Sequence, residues 1–171
     1  MKQHSTNGFT LIEMIVTVVI VMILAAVAVP SFNYVYETTR TNSSISSIES
    51  SLSFARNQAV SFGRVVSVCP GDGTGCSDNW ISGFNIFIDD DENGVVDNNT
   101  DILRFVDAFN SRDFIKASSE IITFGADGLL IPSSSKNIIY CPKSADSENS
   151  KQILISASGR IKTITTGVNC N

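Results

Sequence analysis

The sequence predicts an α+β fold: a long N-terminal hydrophobic α-helix packed on an antiparallel β-sheet globular domain. Three observations predict it. Phe9 to Val29 form a 21-residue apolar run holding one charge, Glu13. Ile45, Ile48, Leu52, Ala55, Ala59 and Phe62 then recur at spacings of 3, 4, 3, 4 and 3, one stripe on a helix. After Gly63 the chain changes to short strand-like segments separated by turn residues. The 171 residues are 43% hydrophobic, which argues against disorder, and suffice to bury a real core. A mean hydropathy of +0.15 beside a net charge of -5 points to an average over two unlike parts. The acidic balance argues against wholesale coating of nucleic acid, though one basic patch remains open.

The apolar run comes first. A helix of about 20 residues spans a hydrocarbon core. Only the polar MKQHSTNG precedes it. Three readings compete: a plain membrane anchor, a secretory signal with Ala26-Val27-Ala28 as its cleavage site, and a chain cut after Gly8. The run exceeds the usual 7–15 residues of a signal h-region. The third reading explains Glu13. An acidic side chain costs roughly 2.5–3.5 kcal/mol at the centre of a membrane helix, less nearer an end, unless a cation meets it. Cleavage after Gly8 creates that cation, the α-amino group of Phe9, one helical turn before Glu13.

Gly8-Phe9-Thr10-Leu11-Ile12-Glu13 resembles the leader junction of type IV pilins and type II secretion pseudopilins. The resemblance implies that a prepilin peptidase cuts after Gly8 and methylates Phe9. It also implies that Glu13 pairs with the N-terminal amine of a neighbouring subunit during assembly. Pro30 follows the run, where a proline removes a helical hydrogen bond and favours a kink; pilins often bend or melt here.

The second half of the helix carries the apolar stripe, with Ser43, Ser44, Ser46, Ser47, Glu49 and Ser50 on its other faces. Gly63 is the expected C-cap. One helix is therefore expected over residues 9–62: 9–29 for membrane or filament core, 30–62 amphipathic. A free coiled coil is disfavoured, because the stripe covers only about three heptads without paired charges.

Residues 63–171 are expected to form the globular domain. Strand candidates are Arg64–Cys69, Gly83–Asp89, Ile102–Phe109, Ile121–Phe124, Leu129–Ile131, Asn137–Cys141, Lys151–Ser156 and Arg160–Thr165. Asn93-Gly94, Asp127-Gly128 and Ser158-Gly159 mark turns. Ser133 to Lys136 and Ser144 to Ser150 read as exposed loops. The run Val68-Cys69-Pro70, Cys76, Trp80, Gly83-Phe84-Asn85-Ile86-Phe87, Asp91, Asn93-Gly94 and Ile102-Leu103-Arg104 is similar to the FimT/GspH group of minor pilins and pseudopilins.

An exported domain permits disulfides. Four cysteines allow three pairings. Cys69–Cys76 would close a small glycine-containing loop, and Cys141–Cys170 would restrain the C-terminal end; these two are favoured. A zinc site lacks C-x-x-C spacing and histidine. The one histidine, His4, lies in the leader, so a processed chain would have no imidazole for a catalytic triad or a Cys-His pair. No enzyme activity and no cofactor are expected.

Asp89 to Asp101 reads DDDENGVVDNNTD, with six acids and no base. Asp89, Asp91, Asn93, Gly94 and Asp97 match calcium-loop positions 1, 3, 5, 6 and 9, but Thr100 replaces the glutamate at 12. The preferred reading is a solvated hairpin turn around Asn93-Gly94; weak calcium binding is the alternative. Without this loop, residues 30–171 would carry +1 instead of -5.

From Lys136 onward, five bases face two acids. Gly159-Arg160-Ile161-Lys162 resembles the C-terminal G-R-x-R motif of FimT proteins that bind DNA, with Lys162 at the second arginine. Strand alternation puts Arg160 and Lys162 on one side, toward one phosphate track. Lys143 and Lys151 complete the candidate patch. Lysine keeps the charge but loses bidentate geometry, and an ordinary solvated strand edge is the plainer reading.

The sequence thus predicts a minor pilin that helps initiate or cap a type IV pilus, with a candidate DNA-binding role in natural transformation. A minor pseudopilin of a type II secretion system is the alternative. Its expected partners are other minor and major pilins, the prepilin peptidase, the inner membrane and, through the basic region, DNA. The expected location is the inner membrane, single-pass, with the globular domain in the periplasm, then the pilus or pseudopilus.

Overall fold

The computed structural model describes residues 9–171. Gly8 and the rest of the expected leader, residues 1–8, lie outside the described residues, as does the side chain of Pro30. The chain divides into two compact units, Met1–Thr38 and Thr39–Asn171. The division falls inside one helix, α1 (Leu11–Phe62). Residue 30 lies within that helical span.

Both ends of α1 follow from local chemistry. Thr10 is the N-cap. Its hydroxyl accepts from Glu13 N (3.3 Å), and Glu13 Oε2 accepts from Thr10 N (3.5 Å). This reciprocal pair is a capping box, which satisfies two otherwise orphaned N–H groups. At the other end Gly63 adopts φ +62°, and Arg64 N donates to Ala59 O at 3.2 Å. That is a Schellman closure, which glycine accommodates without a Cβ penalty.

Within the second unit, Ile45, Ile48, Leu52, Ala55 and Ala59 are all buried. The stripe stops there: Phe62, its expected last member and the last residue of α1, is 51% exposed. The β-structure beneath the stripe is two antiparallel sheets. One contains β1 (Val66–Pro70), β2 (Phe84–Ile88), β3 (Ile102–Val106), β5 (Ile122–Phe124) and β6 (Leu130–Ile131), in the order β3-β2-β1-β5-β6. The other contains β4 (Phe114–Ala117), β7 (Lys136–Cys141), β8 (Lys151–Ile155) and β9 (Ile161–Ile164), in the order β4-β7-β8-β9. Val66, Val68, Ile86, Ile122 and Phe124 from the first sheet join Ile138, Tyr140, Ile153 and Ile155 from the second. Together with the α1 stripe they form one core.

Several expectations need correction. Strand β4 was not foreseen, because Phe-Ile-Lys-Ala is too short and mixed to show a period. It exists because Ile115 and Ala117 register opposite the buried Tyr140 and Ile138. The Ile102–Phe109 candidate ends at Val106, and Phe109 N instead bonds Ile81 O at 2.9 Å. Lys136, expected in a loop, opens β7. Ser150, expected in an exposed loop, is buried, its hydroxyl donating to Ser147 O at 2.6 Å.

Candidate assembly and surface sites

The N-terminal helix is the first site. Leu11, Ile12, Met14, Ile15, Val16 and the apolar residues after them to Leu24 are exposed on all faces. Water would not tolerate such a surface; lipid or neighbouring helices would. Among the described residues, α1 is the one helix long and apolar enough to cross a membrane. Glu13 sits in its first turn, next to the exposed Phe9. Its carboxylate reaches back toward the chain's start through the capping box. Sequence reading missed that box, although Thr10-Leu11-Ile12-Glu13 carries the T-x-x-E signature.

The second site is the face of the first sheet turned away from α1. Strand alternation sends Val66, Val68 and Ile86 toward the helix and Ser67, Cys69, Asn85 and Phe87 to the opposite side. Those four residues are also fully buried, so something covers them. Two loops do so. The Cys69–Cys76 bridge holds one of them, residues 71–75, in place, where Gly75 O accepts from Asn85 Nδ2 at 2.7 Å. Gly71 has no room for a side chain: a Cβ would lie 2.1 Å from Gly75 O. Within this loop the Thr74 hydroxyl and N–H hold the Asp72 carboxyl below its usual range.

The acidic stretch is the other cover: it links the antiparallel pair β2 and β3 and is largely exposed, as a solvated hairpin connection would be, but Asp89 and Gly94 turn inward. Asp89 is buried and accepts from Ser67 Oγ at 2.5 Å and from Gly94 N at 3.1 Å. Ser67 Oγ also lies 2.8 Å from Thr123 Oγ1 of β5. Gly94 is buried at φ +72°, where a Cβ would fall 2.3 Å from Ile121 Cδ1. Cys76 Sγ touches Gly94 O at 3.4 Å, so the two loops meet. The exposed Arg64 guanidinium forks onto Asp90 and holds that carboxyl below its usual range.

The four candidate calcium ligands do not converge. Asp89 points inward, Asn93 Nδ2 bonds Asp91 Oδ2 at 2.7 Å, and Asp97 is exposed. Among the described residues no group of three or more His, Cys, Asp or Glu side chains is placed to hold a metal.

A third cluster had no sequence signal. Asp113, just before β4, has a fully buried carboxylate. It accepts from Arg40 Nη2 at 2.6 Å, from the Tyr140 hydroxyl and from Lys143 N at 3.0 Å. Burial, and then the bond to Asp113, pushes the Tyr140 phenol up to about 12. The cluster ties α1, β7 and the β4 approach together. Residues 73 and more apart in sequence meet here, which no local pattern announces.

The basic region is only partly assembled. Arg160 and Lys162 are both exposed. Lys162 registers opposite Leu154, on the face away from the buried Ile153 and Ile155. Lys151 does not join them. It registers opposite the buried Tyr140, and its ammonium donates to Asn42 Oδ1 of α1. Lys143 sits past the end of β7 at φ +65°, with its backbone committed to Asp113. Gly159 has a packing duty besides its turn: a Cβ there would lie 2.1 Å from Gly128 O and 2.7 Å from Arg56 Nε. The second bridge, Cys141–Cys170, fastens the chain's end to β7.

The residues that carried the family resemblance are largely packing residues. Trp80, Phe84, Phe109 and Tyr140 form a chain of ring contacts at 5.8, 6.3 and 6.0 Å from the first sheet to the second. Arg104 lies over the Phe54 ring of α1 at 4.3 Å.

A capped, lipid-compatible helix feeding a disulfide-braced antiparallel β-domain defines the class: a pilin-like minor pilin or pseudopilin. A model of the prokaryotic N-terminal methylation motif matches residues 4–29. A model described as type II transport protein GspH matches residues 44–159, so the chain belongs to the GspH family. Among solved structures it is similar to the type IV minor pilin FimU of Pseudomonas aeruginosa strain PAO1. The TM-score is 0.64 at 24% identity, covering 78% of this chain and 96% of that one. A second crystal form of FimU aligns with TM-score 0.61 at 24% identity, covering 76% and 99%. The minor pseudopilin EpsH from the type 2 secretion system of Vibrio cholerae aligns with TM-score 0.54 at 10% identity, covering 73% and 96%. A comparison with curated proteins finds no match.

Proposed function

We propose that the chain is a non-catalytic subunit that helps initiate or cap a type IV pilus. Residues 1–8 are its leader, removed by prepilin peptidase between Gly8 and Phe9, with Phe9 then N-methylated. Residues 9–29 anchor it in the inner membrane, with 63–171 in the periplasm, and later enter the filament core. The observation that carries this reading is the junction Gly8-Phe9-Thr10-Leu11-Ile12-Glu13 standing directly before a helix exposed on every face. A pilin helix must pass from lipid into a bundle of like helices, and an all-round apolar surface serves both. Glu13 is the residue that guides docking, by pairing with the methylated amine of a neighbour. That pairing would replace the capping-box bond from Thr10 N.

A second reading is a minor pseudopilin of a type II secretion system, supported by the family description itself. The exposed pair Arg160 and Lys162 leans toward the pilus, with sequence-independent DNA contact as its added role. Two experiments test these readings. Intact mass and N-terminal sequencing should find residues 1–8 missing and Phe9 methylated; removal through Ala28 would overturn the proposal. Deleting the gene should abolish surface pili and leave protein secretion intact; the reverse outcome would select the pseudopilin.

A further inference from the structure

We infer that Phe32, Tyr34 and Tyr36 form an aromatic collar that docks in the headgroup layer on the periplasmic side of the membrane. The inference rests on the membrane-anchored reading above and adds the surface that sets the helix's depth. Phe32 is 74% exposed, Tyr34 62% and Tyr36 61%, and Val35 beside them is 55% exposed. Four large side chains within five residues are a costly display in water.

Their arrangement identifies what surrounds them. At about 100° per residue, Phe32 and Tyr36 share one side of the helix while Tyr34 points nearly opposite. Val35 fills part of the remaining arc. Phe32, Val35 and Tyr36 fall at i, i+3 and i+4 and make one apolar side, but a protein partner seated on that side alone would leave the Tyr34 ring, which faces nearly the other way, in water. A collar that faces all directions suits a medium that surrounds the helix.

The position along the axis identifies the layer. Leu11 to Phe32 spans about 31 Å at 1.5 Å per residue, close to the roughly 30 Å hydrocarbon thickness. With Leu11 at the inner boundary, Phe32 reaches the outer one, and Tyr34 and Tyr36 lie about 3–6 Å beyond it. Each tyrosine then keeps its ring against the acyl ends and its hydroxyl among phosphate and glycerol oxygens, as interfacial aromatics do. Glu37 and Arg40 follow at once, so the polar chain resumes where the headgroups begin. The same rings must leave the lipid when the subunit is drawn into a filament, so the collar resists extraction as well as setting depth.

The test uses the full chain in vesicles of phosphatidylethanolamine and phosphatidylglycerol. Tyr34→Trp and Tyr36→Trp are made separately, and the parent signal from the buried Trp80 is subtracted. Flotation with the vesicles checks the membrane reading by itself. In floating material the added indole should emit at interfacial wavelengths. Lipids brominated near the glycerol should quench it at least about twofold more strongly than lipids brominated at mid-chain. An indole that floats with the vesicles but is freely quenched by aqueous acrylamide overturns the collar and leaves the anchor intact. Stronger mid-chain quenching overturns the assigned depth. Failure to float overturns the anchor and the collar with it.

Discussion

Asp89 accepts the Ser67 hydroxyl at 2.5 Å, with both residues buried, on the face of the first sheet opposite α1. A carboxylate that the sequence places in a run of solvated acids therefore joins a loop to the centre of the sheet. Asp89→Ala should destabilise the chain by about 1–3 kcal/mol, because Ser67 Oγ and Gly94 N lose an acceptor in a buried place. Asp91→Ala, at an exposed position, should stay within about 0.5 kcal/mol of the parent. Denaturant unfolding of the two variants side by side checks the contrast, and equal midpoints would refute it. Added calcium should move neither midpoint.

The Asp113 cluster predicts both a mutational and a pH effect. Asp113→Ala removes the carboxylate that Arg40 and Tyr140 share and should cost about 3–5 kcal/mol, as breaking a buried ion pair does. For the pH effect, the folded Tyr140 phenol titrates near 12, above its ordinary value of 10. Between those values the unfolded chain has released this proton and the folded chain still holds it. Stability from this group is therefore complete below pH 10 and lost as pH rises through 12. Tyr140→Phe should be less stable at pH 8 and show a shallower decline over that window, read from unfolding midpoints.

The two disulfides should differ in worth. In the chain-entropy account, opening Cys69–Cys76, at a separation of 7, costs about 2–3 kcal/mol, and opening Cys141–Cys170, at 29, costs about 3–4 kcal/mol. The local signatures should differ as well. Serine at Cys69 and Cys76 should speed amide exchange in both the 71–75 and 89–98 segments, which meet at Cys76 and Gly94. Serine at Cys141 and Cys170 should free residues 165–171. Hydrogen exchange resolves the two patterns, and protection unchanged at 89–98 would show that the loops are not coupled.

The basic segment separates stability from surface charge. Gly159→Ala should cost more than about 2 kcal/mol, since its Cβ would strike Gly128 O at a positive φ. Arg160→Ala with Lys162→Ala should change stability by less than about 0.5 kcal/mol, both being exposed. DNA binding, measured by fluorescence anisotropy at low salt, should fall steeply as salt rises and disappear in the Arg160/Lys162 double variant. Lys151→Ala should leave it unchanged, because that ammonium faces Asn42. No binding at low salt would remove the DNA role.

Much of the fold was legible because it is written in short-range periods. The 21-residue apolar run, the 3-4 stripe on α1 and the turn glycines each act within a few residues, so the order of elements can be read directly. The exceptions are instructive. β4 is too short to carry a period and owes its strand conformation to Tyr140 and Ile138 across the sheet. The N-terminal junction was legible for the same reason: the methylation motif and the apolar run lie within the first 30 residues, and the capping box, though missed, is just as local.

By itself, the sequence determined the class of protein: an N-terminal methylation motif, a helix long and apolar enough to cross a membrane, and a β-domain with four cysteines. Tertiary structure alone decided which charges are surface and which are framework. Asp89 and Asp97 belong to the same acidic run, yet one is buried under two loops and the other meets solvent. Lys151 and Lys162 belong to the same basic region, yet strand registers turn one toward α1 and the other away. The physical reason is that charge count is a property of composition. Whether a charge is solvated depends on which distant segment covers it, and that is settled only when Ser67, Gly94, Asn42 and Tyr140 come into place.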